Sequence, residues 1–349
     1  MNITPIKRLV LRALARRSKT YLEVSDRHWS LYPSESSVSP KAIYLDGEIQ
    51  KVTAVGKDTT YEYEMKRVQG GRVEHAATTA YCIRNAEILD GYVYQGAMKY
   101  ELLLDQKERL IGPRISEHLS RASLACTVYG NRYFGHWITE DIPLNLAARQ
   151  LAEPIAVARK LYSHEPGYRH LFGIKTPTVT RVKCDELIII TDFGQNTFKR
   201  QRYEFLRSRL RVLEPLHSNH GIMLRRGKSG VQRSLTNEAE VEKFLEAQGF
   251  TIIDPESLSA TEIVRQVLGA KIVVGVEGSH LIHSIFSMAD NGTLCVLQPP
   301  YRFNNVHKDY TDCLDMYYAF VVGKQTPNGF MIELEDLART LDKIAAVTP

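Results

Sequence analysis

The stretch that decides the fold reads Ile272-Val-Val-Gly275-Val-Glu277-Gly278-Ser279-His280, then Leu281-Ile-His283-Ser-Ile285-Phe286. A short apolar run passes without a polar break into a helical pattern, so a strand over 271–276 should feed a helix over 279–289. Ile282, Ile285, Phe286 and Ala289 would form its buried face, with His280, His283 or Ser284, and Ser287 towards the other side. Gly275 and Gly278 allow a ligand to approach the backbone closely, and a new helix presents unpaired N–H groups. Such a helix start suits an anion, notably a diphosphate. The plainer reading is an ordinary strand-to-helix turn capped by Glu277 or Ser279.

Working outward, the same alternation continues on both sides. A strand over 221–225 precedes a helix over 236–248, with Thr236 as N-cap, an apolar face of Val241, Phe244 and Leu245, and Gly249 as the stop. A strand over 251–254 is followed by a helix over 259–268, where Ser259 and Glu262 have capping-box spacing. Further strands are expected over 293–297, closed by Gln298-Pro299-Pro300, and over 317–322, with a last helix over 334–345. This order is that of an open, mostly parallel α/β sheet, which binds ligands beyond the carboxyl ends of its strands. The first half is less regular. Strands are expected over 80–83, 88–94, 98–104 and 186–191, with Asp90-Gly91 offering a turn between the first two. Residues 115–150 read as helical in places, and 197–213 as a basic helix.

At 349 residues the chain exceeds what one hydrophobic core usually supports, so two domains are expected. The boundary should fall near Glu214-Pro215, where a polar link over 217–221 begins. The five cysteines are odd in number and form no CxxC pair, which argues against a disulfide framework or a zinc site and for a reducing, cytoplasmic setting. No run approaches the roughly 20 apolar residues needed to span a bilayer. The charge is uneven: residues 1–20 hold Lys7, Arg8, Arg12, Arg16, Arg17 and Lys19 and no acidic residue. Ile6, Val10 and Leu14 recur among them at near-helical spacing. This segment is either a solvated basic arm or an amphipathic helix in peripheral contact with an inner membrane surface. The basic residues do not form a stripe interleaved with aromatics, so nucleic acid is not an expected partner.

Two further segments carry chemistry. In Met223-Leu-Arg225-Arg226-Gly227-Lys228, followed by Arg233 and Asn237-Glu238, a cationic loop stands at a strand's carboxyl end, where guanidinium groups bind phosphate well. Alone it also reads as a solvated basic turn. The other is Tyr129-Gly-Asn131-Arg-Tyr133-Phe134-Gly135-His136-Trp137-Ile-Thr139-Glu140-Asp141-Ile-Pro143. On a helix, His136 and Glu140 share a face and form a pair that could take a proton from a sugar hydroxyl; a core histidine beside a polar neighbour is the alternative. Pro143 removes the N–H bond to Thr139, so the helix should kink or begin late. No Asp-x-Asp occurs, so positive side chains and backbone N–H groups would have to hold a diphosphate without a metal. The Walker A, HExxH, GxSxG and GxGxxG patterns are also missing, which weakens kinase, metalloprotease, serine hydrolase and dehydrogenase readings.

Taken in order and spacing, these segments resemble glycosyltransferase family 61, whose bacterial members act in capsular polysaccharide synthesis. The resemblance rests on Gly135-His136-Trp137, Glu140 and Pro143; on Arg225-Arg226, Arg233 and Asn237-Glu238; on Gly249-Phe250; and on Gly275, Glu277-Gly278-Ser279 and Phe286, and spans about 120–330. Many members carry His-Gly-Ala-Gly where this chain has Glu277-Gly278-Ser279-His280 and then His283, as in a bacterial subset.

The resemblance implies a GT-B-like architecture, two Rossmann-like domains facing across a cleft. The corresponding division is a basic arm over 1–20, an acceptor-side domain over 21–215, a nucleotide-sugar domain over 216–330 and a closing helix over 331–349. It implies an inverting, metal-independent transferase with no cofactor, taking a nucleotide-sugar donor and a carbohydrate or glycolipid acceptor. Arg225, Arg226, Lys228, Arg233 and Asn237, with Glu277, Gly278, Ser279, His280 and His283, would bind the donor. Glu140, helped by His136, would be the general base, with Glu277 or Asp141 as alternatives. A sugar-nucleotide epimerase or hydrolase of the same fold, or a non-catalytic carbohydrate-binding protein, are the competing readings.

Overall fold

In a computed structural model, residues 1–104, 106–216, 221–227 and 233–347 are described. They divide into two units, Met1–Glu35 with His75–Asn196, and Ser36–Glu74 with Thr197–Pro349. This differs from the linear division over 21–215 and 216–330 in two places. The basic helix, Thr197–Leu210, opens the second unit instead of closing the first. Residues 36–74 also join the second unit, held by contacts distant in sequence. Ile43 N–H donates to Tyr318 O at 2.9 Å and Ile43 O accepts from Phe320 N–H at 3.1 Å, so this segment lies along a strand of that unit's sheet. Arg67 is bound bidentately by Asp309 at 2.8 Å through both nitrogens. Pairings of such sequence separation leave no periodic signature in the chain.

The second unit contains a five-stranded, wholly parallel sheet. In chain order its strands are Gly221–Leu224, Phe250–Ile253, Ile272–Val276, Thr293–Gln298 and Tyr317–Val322. In space they run second, first, third, fourth, fifth, the flavodoxin-like doubly wound order. Helices cover the sheet, so its strands are near-continuous runs of Val, Ile and Leu, as burial on two faces requires; Ile272–Val276 is buried at every position. The helix Ala260–Val267 starts with the expected capping box, Ser259 with Glu262. The helix Glu238–Ala247 is capped one residue later than expected, at Asn237 instead of Thr236. A helix over Val306–Cys313 had no counterpart in the sequence reading.

The helix expected over 279–289 is much shorter. A 3₁₀ turn, Ser279–Leu281, leads into a single α turn, Ile282–Ile285. Hydroxyls compete with the helical ladder here: Ser284 donates to Leu281 O at 2.7 Å and Ser287 to His283 O at 3.0 Å. Arg207 then caps the end, donating to Ile285 O at 2.7 Å and Met288 O at 2.8 Å. The backbone is therefore too short a helix to offer much of a dipole.

The first unit is built on an eight-stranded mixed sheet. The strand candidates over 80–83 and 88–94 are in fact one long strand, Thr78–Leu89, followed by Tyr92–Gln95. Asp90-Gly91 makes the turn between those two, both residues at positive φ, the primed geometry that matches hairpin twist. Antiparallel pairing continues through Arg181–Thr191. Beyond it Glu117–Leu124, Pro154–Val157 and Thr178–Val179 are parallel, with helices between them. That parallel half is Rossmann-like; the antiparallel half is not. Among the described residues no helix is long and apolar enough to cross a membrane.

Candidate functional site

In a doubly wound sheet the crevice opens where strand order reverses, at the carboxyl ends of the two strands that part company. Here those are Gly221–Leu224 and Ile272–Val276. The residues just beyond them are Arg225-Arg226 and Glu277-Gly278. Arg226 Nη1 donates to Glu277 O at 2.8 Å, and Arg233 Nη1 to the same oxygen at 3.0 Å. Arg233 Nε lies 2.8 Å from Glu277 Oε2, and Arg302 Nε lies 3.7 Å from it. Two guanidinium groups thus approach the Glu277 carboxyl group while a third, Arg226, is held at its main-chain carbonyl, and both Arg233 (8% exposed) and Glu277 (4% exposed) are buried.

The electrostatics follow from that crowding. Desolvation lowers the pKa of Arg233 to about 10, with Arg226 and Arg302 adding repulsion and Glu277 opposing it. Arg226 is lowered for the same leading reason. Burial raises the Glu277 carboxyl above its ordinary value although Arg233, Arg302 and Arg226 all pull it down. Buried like charges of this kind are unfavourable unless a counter-charge is supplied. A dianionic group entering the crevice would supply it.

Gly278 is required by position. Its φ is +155°, and a Cβ there would stand 1.7 Å from Arg226 Nη1 and 3.0 Å from Arg233 Nη1. The absent side chain is what lets both arginines reach the turn. His307, at the start of Val306–Cys313, holds the same turn from another side, its Nε2 3.1 Å from Gly278 O. His280 packs close behind. Its ring nitrogens are both buried and have no hydrogen-bond partner among the described residues, and desolvation, helped by Arg226, His283 and His307, drives its pKa well below 6.5. His280 is therefore neutral. His283 is buried in the short helix, whereas Ser279 is exposed.

Other sequence candidates lie elsewhere. Arg225 turns away from its neighbour and pairs with Glu242 on the next helix, Nη2 to Oε2 at 2.6 Å. Successive residues leaving a strand point to opposite faces, so only one of the two arginines can serve the crevice. Asn237 is occupied by backbone: Nδ2 donates to Ile332 O at 2.8 Å and Oδ1 accepts from Ile332 N–H at 3.0 Å. Its amide ties a loop, not a ligand. Lys228 lies outside the described residues. Arg302 and His307 were missed; Arg302 follows Thr293–Gln298, so the rule about strand carboxyl ends pointed to its segment, whereas no local pattern marked His307.

In the first unit, His136 and Glu140 lie four apart along one helical run from Phe134 to Ala148, and both are half-buried. Pro143 does not break this run. Trp137–Asp141 forms a π-helical turn, in which Ile142 N–H donates to Trp137 O. The wider turn absorbs the N–H that proline lacks, and such turns recur at functional sites. The His136 ring lies 5.6 Å from that of Tyr129 and 6.0 Å from that of Tyr133, two exposed tyrosines. Asp141, by contrast, is buried: its Oδ1 accepts from Thr127 N–H at 3.0 Å and Thr127 Oγ1 at 2.8 Å. Gly130 makes room for that carboxyl group, since a Cβ there would overlap it at 2.2 Å. Desolvation raises the Asp141 pKa well above 3.8 although the Thr127 hydrogen bonds pull it down, so burial favours the neutral form of this anchor of the Thr127 turn.

Residues 134–296 match the family model Glycosyltransferase 61. The match begins at the helix of His136 and Glu140 and ends in the strand Thr293–Gln298, so it encloses Arg226, Arg233 and Glu277. It supports glycosyltransferase activity. No curated protein matches the chain.

Proposed function

We propose that this chain is an inverting glycosyltransferase that moves a sugar from a nucleotide-sugar donor to a carbohydrate or glycolipid acceptor, in surface polysaccharide synthesis of the capsular kind. One observation carries the reading: Arg226 and Arg233 meet over the Glu277 carbonyl, at the reversal point of the parallel sheet. The donor diphosphate would lie against these two guanidinium groups, with Arg302 beside them. In the reaction the acceptor oxygen attacks the anomeric carbon from the face opposite the leaving group. The bond between that carbon and the phosphate oxygen breaks, and the nucleoside diphosphate leaves with the electron pair. Negative charge grows on the departing oxygen, and fixed cations in a water-poor site stabilise that change. The arginines take the role that a divalent ion has in other transferases.

Glu277 holds Arg233 in place before donor binding, and the entering phosphates then share its cations. Glu140, oriented by His136, is the proposed acceptor of the hydroxyl proton. A GT-B plan of two Rossmann-like domains and a cytoplasmic setting belong to the same proposal; the five free, buried thiols are in keeping with the latter.

The test is a calorimetric titration of the protein with UDP and GDP, followed by turnover of a sugar-nucleotide panel in excess EDTA. Nucleotide diphosphate binding lost in Arg233→Ala, and turnover that survives the chelator, are the expected results. Full turnover in Arg233→Ala, or strict dependence on manganese, overturns the reading. A donor epimerised or hydrolysed without acceptor would move the chain to that reaction class instead.

A further inference from the structure

The helix Thr4–Leu14 is amphipathic in the opposite sense to a core helix. Its inward contacts are polar. Asn2 Nδ2 and Thr4 Oγ1 donate to Glu87 Oε2 at 3.0 and 2.6 Å, and Arg8, only 4% exposed, pairs with Glu108 at 3.4 Å. Its apolar residues face the other way: Ile6, Val10 and Leu14 are 37%, 55% and 76% exposed. Steps of four residues place them on one stripe, and at ~100° per residue that stripe lies roughly opposite Arg8.

A second segment widens the face. Asn2 and Gly112 exchange both backbone hydrogen bonds at 2.8 Å, which fixes Leu110 and Ile111 near the start of the helix. Those two are 62% and 49% exposed. Exposed cations share these segments: Lys7 lies about 60° round the helix from Val10, Arg16 and Lys19 follow the helix end, and Arg109 is on the second segment; Arg12 is on the side of Arg8, and Arg17 is shared with Glu23. Exposed apolar side chains gathered in this way on a folded protein mark a contact surface.

We propose that this face is a docking surface for an anionic lipid bilayer, with the helix lying in the headgroup plane. Charge selects the occupant. Residues 1–19 contain no acidic side chain, so a second copy packed on the same face about a two-fold axis would bring cation against cation. Anionic headgroups complement that fringe while the acyl boundary takes up Ile6, Val10 and Leu14. The inference does not depend on the proposed transferase activity.

The experiment is sedimentation of the full chain with vesicles of phosphatidylcholine alone and of phosphatidylcholine mixed with phosphatidylglycerol. Binding is expected mainly to the mixed vesicles. Val10→Glu with Leu14→Glu should weaken it by roughly a hundredfold, since two apolar side chains no longer enter the boundary. Lys7→Gln with Arg109→Gln should weaken it by about fivefold per charge removed. These side chains are exposed, and thermal melting of each variant reports whether it folds; if the glutamate variant does not, the glutamine variant decides. Equal binding to both vesicle types, binding to neither, or retention by the folded glutamate variant overturns the proposal. A dimer in size-exclusion chromatography that Val10→Glu with Leu14→Glu dissociates also overturns it, making the face a contact between copies.

Discussion

Glu277 and Asp141 are both buried carboxyl groups with raised pKa values, yet their surroundings give them opposite work. Glu277 has Arg233 and Arg302 at its carboxyl group and Arg226 at its main-chain carbonyl, at the mouth of a parallel sheet. Asp141 accepts from a threonine hydroxyl and a backbone N–H, which lower its pKa more than the nearby Arg159 does. A carboxyl group among cations holds charge ready for exchange with a ligand; one among neutral donors is simply a hydrogen-bonding wedge. Burial alone therefore does not mark a functional acid. The excess of cations around it does.

Substitutions can break this comparison at its strongest point first. Arg233→Ala should lower turnover by about a hundredfold to a thousandfold, the range for removing one charge-stabilising donor. It should also leave Glu277 buried with fewer partners, so Arg233→Lys is the companion variant: partial recovery of turnover by steady-state kinetics separates loss of charge from loss of fold. Gly278→Ala comes next. Its methyl group displaces the Arg226 guanidinium, and nucleotide affinity measured by calorimetry should fall roughly tenfold to a hundredfold.

The Asp141 side of the comparison predicts a stability effect with no catalytic specificity. Asp141→Ala should destabilise the first unit by about 1–3 kcal/mol through the stranded Thr127 donors. Asp141→Asn keeps the acceptor, and because the folded pKa is raised, ionisation opposes folding as pH rises above the ordinary carboxyl range. The asparagine variant should thus match or exceed the parent protein in thermal melts at neutral and alkaline pH. A collapse of Asp141→Asn at pH 8 would show that the group is charged.

His280 sharpens the picture with pH. Its folded pKa lies well below 6.5, so the unfolded chain takes up a proton that the folded one refuses. That contribution to stability is full above about pH 6.5 and declines as pH falls. Melting temperatures between about pH 7 and pH 5 should drop less steeply in His280→Asn than in the parent. The smallest effect belongs to Arg225→Ala: its half-exposed pair with Glu242 should contribute less than about 1 kcal/mol, and nucleotide affinity should not move. A large loss of affinity there would place the wrong arginine in the crevice.

Much of the second unit was legible because parallel strands buried on two faces are written as unbroken apolar runs, separated by capped helices. The five strands were all found within a residue or so at each end. The sequence brought Arg226, Glu277 and Gly278 together as candidates because they stand just beyond the carboxyl ends of the reversing pair, and the fold sets Arg233 against the same turn. Arg225 and Asn237 were misassigned because a motif names residue types, while side-chain direction and a partner such as Ile332 appear only on folding. The short helix after Ser279 was overextended because serine hydroxyls that turn back on the chain look no different, in sequence, from those that face solvent. The mixed sheet was harder to read, since Glu117–Leu124 is mostly exposed and polar over its first half and buried only from Ala122, so it carries no regular alternation.

The amino-acid order by itself determined the local elements and their alternation, because strand and helix are set by short-range periodicity and caps. It could not determine that residues 36–74 pack with the far half of the chain, nor that Arg302 and His307 join the glycine turn. Those are consequences of strand order, and strand order depends on which apolar faces bury each other across the whole sequence. Only the tertiary structure decided which of two adjacent arginines turns to Glu277 and which to Glu242.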